Sequence, residues 1–136
     1  ILPLTAIPTF IRFGGKSMAR VRYQAPDKPV DEILTKDTDA LAATLDLYVT
    51  EKNNPENRLG VSSVDVLSPA SILENGTVLI DTPGVGSTFS HNTRTTMSSL
   101  PRVDAALFVV SVDPPVTQTE LDFLAHVKKN IPTLFF

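Results

Sequence analysis

The sequence has no cysteine among its 136 residues. This absence excludes a disulfide framework, a thiolate metal site and a cysteine nucleophile. The sequence also has no apolar run that approaches the roughly 20 residues of a membrane-spanning helix, and no segment that resembles a signal peptide. A net charge of −3 gives no electrostatic reason to expect a nucleic-acid partner. We therefore expect a cytoplasmic protein that does not bind nucleic acid.

The composition is that of an ordinary globular domain, with 42% hydrophobic and 20% charged residues. A chain of this length can bury a core as one domain. The sequence begins on Ile1 without a methionine and stops on an apolar, strand-like run at residues 134–136. Chains seldom end on a strand that needs burial on both faces. Both ends are therefore predicted to be cuts through a larger protein.

The most informative stretch is a short apolar segment, residues 77–80, followed by Asp81, Thr82, Pro83 and Gly84. The apolar segment predicts a buried strand with an acid at its carboxyl end, where open α/β sheets bind ligands. A carboxylate there can hold hydrated Mg²⁺, and the N–H of a glycine can approach a terminal phosphate closely. The alternative is an ordinary turn, since Asp, Pro and Gly are common turn residues.

A Gly-Gly-Lys-Ser sequence at residues 14–17 is similar to the end of a phosphate-binding loop. The true motif has an earlier glycine and lies between a strand and a helix. Phe10 and Ile11 stand where that glycine would be, and the residues after Ser17 alternate like a strand. We therefore expect a hairpin that joins strands at residues 9–13 and 18–23, with Lys16 as a solvated turn residue.

The polar middle of the chain contains one predicted helix, which begins at Asp37 or Thr38 and ends at residues 53–55. Its apolar stripe consists of Leu41, Leu45, Tyr48 and Val49. The acidic residues of this region match no metal-ligand spacing, so a solvated helical face is predicted. A half-exposed strand at residues 61–67 follows and is expected to pair with the strand at residues 77–81.

The last third of the chain predicts a strand, a helix and a second strand. A continuous apolar run within residues 104–112 is typical of a central parallel strand covered on both faces. Thr117 and Glu120 fit a capping box at the start of the helix. The helical residues predicted to face inward are Leu121, Leu124 and Val127. With a strand at residues 134–136, this spacing predicts a right-handed βαβ unit with parallel strands. His91 lies in the polar loop before this unit and is a candidate general base. The alternative is that His91 is an ordinary solvated side chain.

These features together resemble the core of a GTPase domain. The closer similarity is to the dynamin-like GTPases, in their bacterial form. The stretches that carry it are residues 79–84, residues 2–9 as a first switch, residues 48–51 and 54–57 as a helix-and-loop insertion, and residues 68–76. The fold that this resemblance implies is α/β, an incomplete phosphate-loop GTPase domain with a mixed sheet and flanking helices.

The resemblance implies a role for each matched residue. Thr5 resembles the switch threonine, whose hydroxyl ligates Mg²⁺ and whose backbone carbonyl helps to orient the attacking water. Asp81 would hold Mg²⁺ through a water. Thr82 and Pro83 would line the nucleotide, and the Gly84 N–H would bind the γ-phosphate. Phosphoryl transfer depends mainly on positioning and electrostatic stabilisation, so a few such groups matter greatly. The implied ligands are GTP and GDP, with Mg²⁺ as the cofactor.

Two elements of the family are missing from the sequence. The phosphate-binding loop is expected before Ile1, and the guanine-reading motif is expected after Phe136. Residues 1–136 are therefore predicted to be the central part of one GTPase domain that includes both switch regions. We expect the isolated chain to bind GTP very weakly or not at all, and to show no turnover.

The function that the resemblance implies is hydrolysis of GTP to GDP by a parent protein that remodels or tethers membrane. The parent would touch the membrane peripherally, through regions outside this chain. The alternatives are a non-catalytic scaffold or regulatory domain of the same fold, or a GTPase of another family. The presence of Thr5, Asp81 and Gly84 favours the enzyme. Self-association is expected through an uncovered apolar patch at residues 107–109.

Overall fold

The computed structural model describes residues 5–35, 37–83, 103–110 and 116–136. The chain forms two compact units, Ile1–Gly84 and Val85–Phe136. Two of the predicted residues, Gly84 and His91, lie outside the described ranges. Within these ranges, no helix combines the length and the apolar character that crossing a bilayer requires.

The first unit contains a five-stranded sheet and one α-helix. Its elements are β1 (Thr9–Phe13), β2 (Met18–Tyr23), β3 (Asp31–Leu34), α1 (Thr38–Val49), β4 (Val61–Ser68) and β5 (Leu79–Asp81). The strands lie in the order β3-β2-β4-β1-β5. Strands β1 and β4 are parallel, whereas the other neighbouring strands are antiparallel. This arrangement confirms the predicted α/β architecture with a mixed sheet.

One face of the sheet packs against α1 and forms the core of the first unit. Ala19, Val21 and Val64 have no exposed surface, and they pack with Leu41 of α1. An irregularity in the pairing of β2 with β4 lets Val61 share this core with Val64, although the two are three positions apart. Such an irregularity shifts the alternation of a strand, so that residues at an odd spacing face the same side.

The predicted hairpin between residues 9–13 and 18–23 is wrong, because β4 lies between β1 and β2. Residues 14–17 form instead a connection over the end of β4, where the Gly14 N–H donates to the Ser68 carbonyl at 3.0 Å. A Cβ atom on Gly14 would lie 2.7 Å from the Cβ of Leu67, so this crossing requires glycine. The inserted strand comes from a distant part of the chain, which a local turn signal does not report.

Two further predictions about the sheet are wrong. Strand β4 does not pair with the strand that ends at Asp81, since β4 lies between β2 and β1. The apolar segment at residues 77–80 is not a buried strand, because β5 begins only at Leu79, whose side chain is 46% exposed. Strand β3 was not predicted, because its residues lie in a polar stretch. It is joined to β2 by antiparallel pairing and by an ion pair in which the Arg20 Nε donates to Glu32 at 2.9 Å.

Helix α1 confirms the predicted start and apolar stripe. The Asp37 side chain caps the helix by accepting a hydrogen bond from the Asp39 N–H at 2.9 Å. The stripe that faces the core consists of Leu41, Leu45, Tyr48 and Val49. The helix ends at Val49, before the predicted residues 53–55, because the loop that follows makes its own hydrogen bonds to the last turn.

The second unit contains β6 (Ala105–Leu107), α2 (Gln118–Asn130) and β7 (Thr133–Phe135). Its two strands pair in parallel, which confirms the predicted strand–helix–strand unit. The predicted capping box is also present at Thr117 and Glu120. The backbone N–H of Thr117 donates to the Glu120 carboxylate, and so does the Thr117 hydroxyl. These two hydrogen bonds, the first more than the second, hold the pKa of Glu120 below its ordinary value.

The core of the second unit differs in part from the predicted one. Its buried residues are Phe123, Val127 and Ile131, and the ring of Phe108 packs with its centroid 6.1 Å from that of Phe123. The predicted inward position of Leu121 is wrong, since this side chain is 46% exposed. Periodicity predicts that a helix has an apolar stripe, but the packing against the strands decides which residues lie at its centre.

The strand predicted at residues 104–112 is shorter than expected, and only one of its faces is covered. Strand β6 ends at Leu107, and the side chains of Leu107 and Val109 are 70% and 83% exposed. Phe108 instead packs on the core of its unit. The expected patch at residues 107–109 therefore includes Leu107 and Val109 but not Phe108. Self-association through this patch stays a prediction.

Candidate functional site

The candidate site lies where β1 begins and β5 ends. These strands are antiparallel, and Thr9 pairs with Asp81. The chain just before β1 therefore runs beside the carboxyl end of β5. There the Thr5 Oγ1 donates a hydrogen bond to the Asp81 Oδ2 at 2.9 Å. The structure thus brings together two predicted site residues that are 76 positions apart in the sequence.

The residues that follow Thr5 are held by backbone hydrogen bonds to helix α1 and to strand β4. The Ala6 N–H donates to the carbonyl of Val49, the last residue of α1, at 2.7 Å. The Pro8 carbonyl accepts from the Val64 N–H of β4 at 3.1 Å. Ala6 is also fully buried, at 1% exposure. The backbone next to Thr5 is therefore fixed, and this fixes the position from which the Thr5 side chain extends to Asp81.

The other predicted site residues follow β5 directly. Asp81 is exposed at the end of the strand, Thr82 is half-buried, and the ring of Pro83 is fully buried. Gly84 lies outside the described ranges. Because proline fixes its own backbone angle, the buried Pro83 ring restrains the chain just before Gly84. The buried ring therefore fixes the chain at Pro83, two residues after the Asp81 carboxylate.

The donor atoms of the site suit a magnesium ion. Mg²⁺ prefers oxygen ligands, keeps several waters, and is bound by one or two protein groups together with substrate phosphates. The Thr5 hydroxyl and the Asp81 carboxylate offer two oxygen atoms that lie 2.9 Å apart. Nowhere in the described ranges, this site included, is a group of three His, Asp or Glu side chains arranged to hold a metal ion. The residues present therefore fit a hydrated Mg²⁺ that shares its coordination with a bound phosphate.

Lys16 lies away from this pair. It follows the carboxyl end of β1, whereas Thr5 precedes the amino end, and the five residues of β1 span about 15 Å. The segment after Lys16 is β2 and not a helix, which confirms that residues 14–17 do not have the strand–loop–helix context of a phosphate loop.

Replacement of Lys16 by alanine is therefore expected to leave nucleotide affinity unchanged within about twofold, because the change is an ordinary surface substitution. Titration of the intact parent protein with a labelled GTP analogue measures this affinity. Loss of nucleotide binding in Lys16→Ala would show that the site is misplaced at Thr5 and Asp81.

One part of the site was not predicted from the sequence. The residues Ala6 and Val49 carry no polar side-chain group that marks them, and the hydrogen bond joins their backbone atoms. The loop after α1 was identified by its resemblance to the bacterial insertion, but no role was assigned to its residues. No local signal reports a backbone hydrogen bond between segments this far apart.

Comparison with known proteins decides the family. The model of the Dynamin family matches residues 1–135. The chain belongs to the dynamin family. This confirms the resemblance to the dynamin-like family that the sequence predicts.

The relatives of this dynamin-family chain are longer proteins. It is 37% identical over 139 residues to an uncharacterized protein of Caldicellulosiruptor, covering 100% of the chain and 32% of that protein. It is 29% identical over 144 residues to dynamin-like protein A of Bacillus subtilis, covering 100% of the chain and 11% of that protein. The chain therefore spans less than a third of the length of these relatives.

Solved structures show the same fold. One similar chain belongs to an oligomerised bacterial dynamin pair described as a mechanism for long-range sensing and tethering of membranes. The two align with a TM-score of 0.59 and 16% identity, over 90% of this chain and 24% of the other. A second chain of such a pair aligns with a TM-score of 0.61 and 15% identity, over 90% and 20%. These similarities confirm the predicted fold, an α/β domain with a mixed sheet and flanking helices.

Proposed function

We propose that this chain is the central part of the GTPase domain of a bacterial dynamin-like protein, and that the parent hydrolyses GTP to GDP. The observation that carries the proposal is the hydrogen bond between Thr5 and Asp81, which places a hydroxyl and a carboxylate together at an exposed strand end. Membership of the dynamin family supports the same conclusion.

Each residue of the site has a proposed role. Thr5 would hold Mg²⁺ with its hydroxyl and orient the attacking water with its backbone carbonyl. Asp81 would hold a water of the hydrated ion, and Gly84 would offer its N–H to the terminal phosphate. Thr82 and Pro83 would line the nucleotide. When bound with GTP, Mg²⁺ would supply positive charge against the β- and γ-phosphate oxygens.

The rest of the nucleotide site is proposed to lie in other parts of the parent. The sequence of residues 1–136 contains neither a phosphate-binding loop nor a guanine-reading motif. Both supply most of the contacts to a bound nucleotide, so the isolated chain is proposed to be inactive.

Membrane remodelling or tethering is proposed for the parent. The support is a structural neighbour that is described as tethering membranes and as oligomerised. The proposed membrane contact is peripheral and is made by regions outside this chain.

Replacement of Asp81 by asparagine in the intact parent tests the proposed function. Asparagine keeps the size of the side chain and an acceptor for the Thr5 hydroxyl, but it removes the charge that attracts Mg²⁺. We expect steady-state GTP hydrolysis to fall by about 10²–10³-fold. We also expect the Mg²⁺ concentration needed for half-maximal rate to rise.

The matched control is Asp27→Asn, since Asp27 is an exposed residue of the turn between β2 and β3. This variant should hydrolyse GTP at the rate of the unmodified parent. A parent that binds GTP without hydrolysing it would support the non-catalytic scaffold instead. Full activity of Asp81→Asn in an active parent would mean that another residue holds the metal.

A further inference from the structure

We propose that Asn54 is a positioning residue for the segment that carries Thr5, through the end of helix α1. Asn54 does not contact Thr5. It fixes the last turn of α1, and that turn holds the backbone next to Thr5. The inference rests on the proposed function where it concerns hydrolysis, and on the contacts described below where it concerns the position of the segment.

Asn54 is a buried polar residue whose side chain forms hydrogen bonds with the end of α1 and with the loop that follows it. Its side chain is 1% exposed. The Nδ2 donates to the carbonyl of Tyr48 at 2.7 Å and to the Oδ1 of Asn57 at 3.2 Å. The Oδ1 accepts from the Leu59 N–H at 3.0 Å. An amide at this burial is stable only because both its donor and its acceptor are satisfied.

The two last carbonyls of α1 have different partners. A helix leaves its final carbonyls without partners inside the helix. In α1 the carbonyl of Tyr48 is taken by Asn54, and the next carbonyl, that of Val49, is taken by the Ala6 N–H at 2.7 Å. These carbonyls belong to consecutive residues, so the direction of one constrains the direction of the other. The loop and the Thr5 segment therefore meet at one helical turn.

The loop has an unusual backbone that its hydrogen bonds maintain. Glu56 and Asn57 have φ angles of 54° and 53°, in the left-handed region that side chains disfavour. The Glu56 N–H donates to the Glu51 Oε2 at 3.1 Å, and the Asn57 side chain both donates to and accepts from the backbone of Val61. Strained conformations persist only where the surroundings determine them strongly. The loop is thus a rigid support for the end of α1.

Asn53 provides a matched control. It is the same residue type at the neighbouring position, and its Nδ2 also donates to a carbonyl of α1, that of Asp46, at 3.1 Å. Its side chain is exposed, and Asp46 lies almost one turn before Val49. Substitution of either asparagine is expected to weaken the helix end in general, whereas the proposed coupling to the Thr5 segment passes through Asn54.

The first test uses hydrogen exchange in the unmodified full-length parent, without nucleotide. One opening of the last turn of α1 should release the Ala6 N–H and the Leu59 N–H together, since both depend on contacts that Asn54 stabilises. Their protection factors are therefore expected to agree within about threefold. An Ala6 amide that exchanges much faster than the Leu59 amide would overturn the proposal without any variant.

The second test compares Asn54→Ala with Asn53→Ala in the full-length parent. Asn54→Ala should speed exchange of the Ala6 amide and lower kcat for GTP by about fivefold to tenfold, with KM unchanged within about twofold. Asn53→Ala should change neither quantity. If Asn54→Ala reduces thermal stability but leaves Ala6 exchange and kcat at the values of the parent, Asn54 is only structural. If both variants change Ala6 exchange equally, the specific route through Asn54 is wrong.

The readouts separate this inference from the proposed function. Hydrogen exchange at Ala6 needs no GTP, so a parent without GTPase activity can still show the coupling through Asn54. In that case the proposed function fails and the positioning role in the fold remains. The opposite result, an active parent in which Ala6 exchange ignores Asn54, removes this inference and leaves the proposed function in place.

Discussion

Replacement of Thr5 by alanine in the intact parent is expected to lower GTP hydrolysis by about 10²–10³-fold while nucleotide affinity changes little. The hydroxyl of Thr5 contacts the Asp81 carboxylate at 2.9 Å and is the proposed magnesium ligand. The backbone around it is held independently, because the Ala6 N–H donates to Val49 and Ala6 is buried. The substitution therefore removes one oxygen without displacing the segment. Single-turnover hydrolysis and GTP titration measure the two quantities separately.

Two variants control this result. Thr5→Ser keeps the hydroxyl and should retain most of the rate. Thr9→Ala removes a hydroxyl that contacts the Ile7 carbonyl at 3.4 Å, and it leaves in place the strand pairing of Thr9 with Asp81. Its rate should stay within about threefold of the parent. If Thr9→Ala is the inactive variant and Thr5→Ala is active, the switch threonine is wrongly assigned.

Replacement of Gly14 by alanine is expected to destabilise the first unit by roughly 1–3 kcal/mol, the usual cost of forcing an extra methyl group into a packed site. The new Cβ would lie 2.7 Å from the Cβ of Leu67, which belongs to β4 and is held by pairing with β1 and β2. Leu67 cannot move away without breaking this pairing, and Gly14 cannot move away without breaking the hydrogen bond from its N–H to the Ser68 carbonyl. Hydrogen exchange at the Val64 amide, whose N–H bonds to the Pro8 carbonyl, reports the lost free energy locally.

Gly15 is the matched control for this prediction. A Cβ atom on Gly15 would meet no atom within 4 Å, so Gly15→Ala should change the same exchange free energy by less than about 0.5 kcal/mol. Equal tolerance of alanine at both glycines would be the result expected of a free hairpin turn. It would contradict the crossing of residues 14–17 over the end of β4.

The sequence was sufficient for those features that depend on near neighbours along the chain. The start of α1 at Asp37 and the capping box at Thr117 and Glu120 are interactions within a few residues, so local patterns report them. The strand–helix–strand unit follows from spacing in the same way. Asp81 was proposed from its place after an apolar segment and Thr5 from family resemblance, and the structure adds that the two side chains meet.

The tertiary structure alone decided which strands are neighbours and what supports the site. Alternation of apolar residues indicates which face of a strand is buried, but it carries no information about the strand that will supply the hydrogen bonds. For this reason β4 between β1 and β2, and with it the need for glycine at position 14, was not predicted. The bond between Ala6 and Val49 joins backbone atoms that every residue possesses, and Asn54 became significant only when its burial was known. By itself the sequence determined the candidate chemistry of the site, whereas long-range packing determined how that chemistry is held in place.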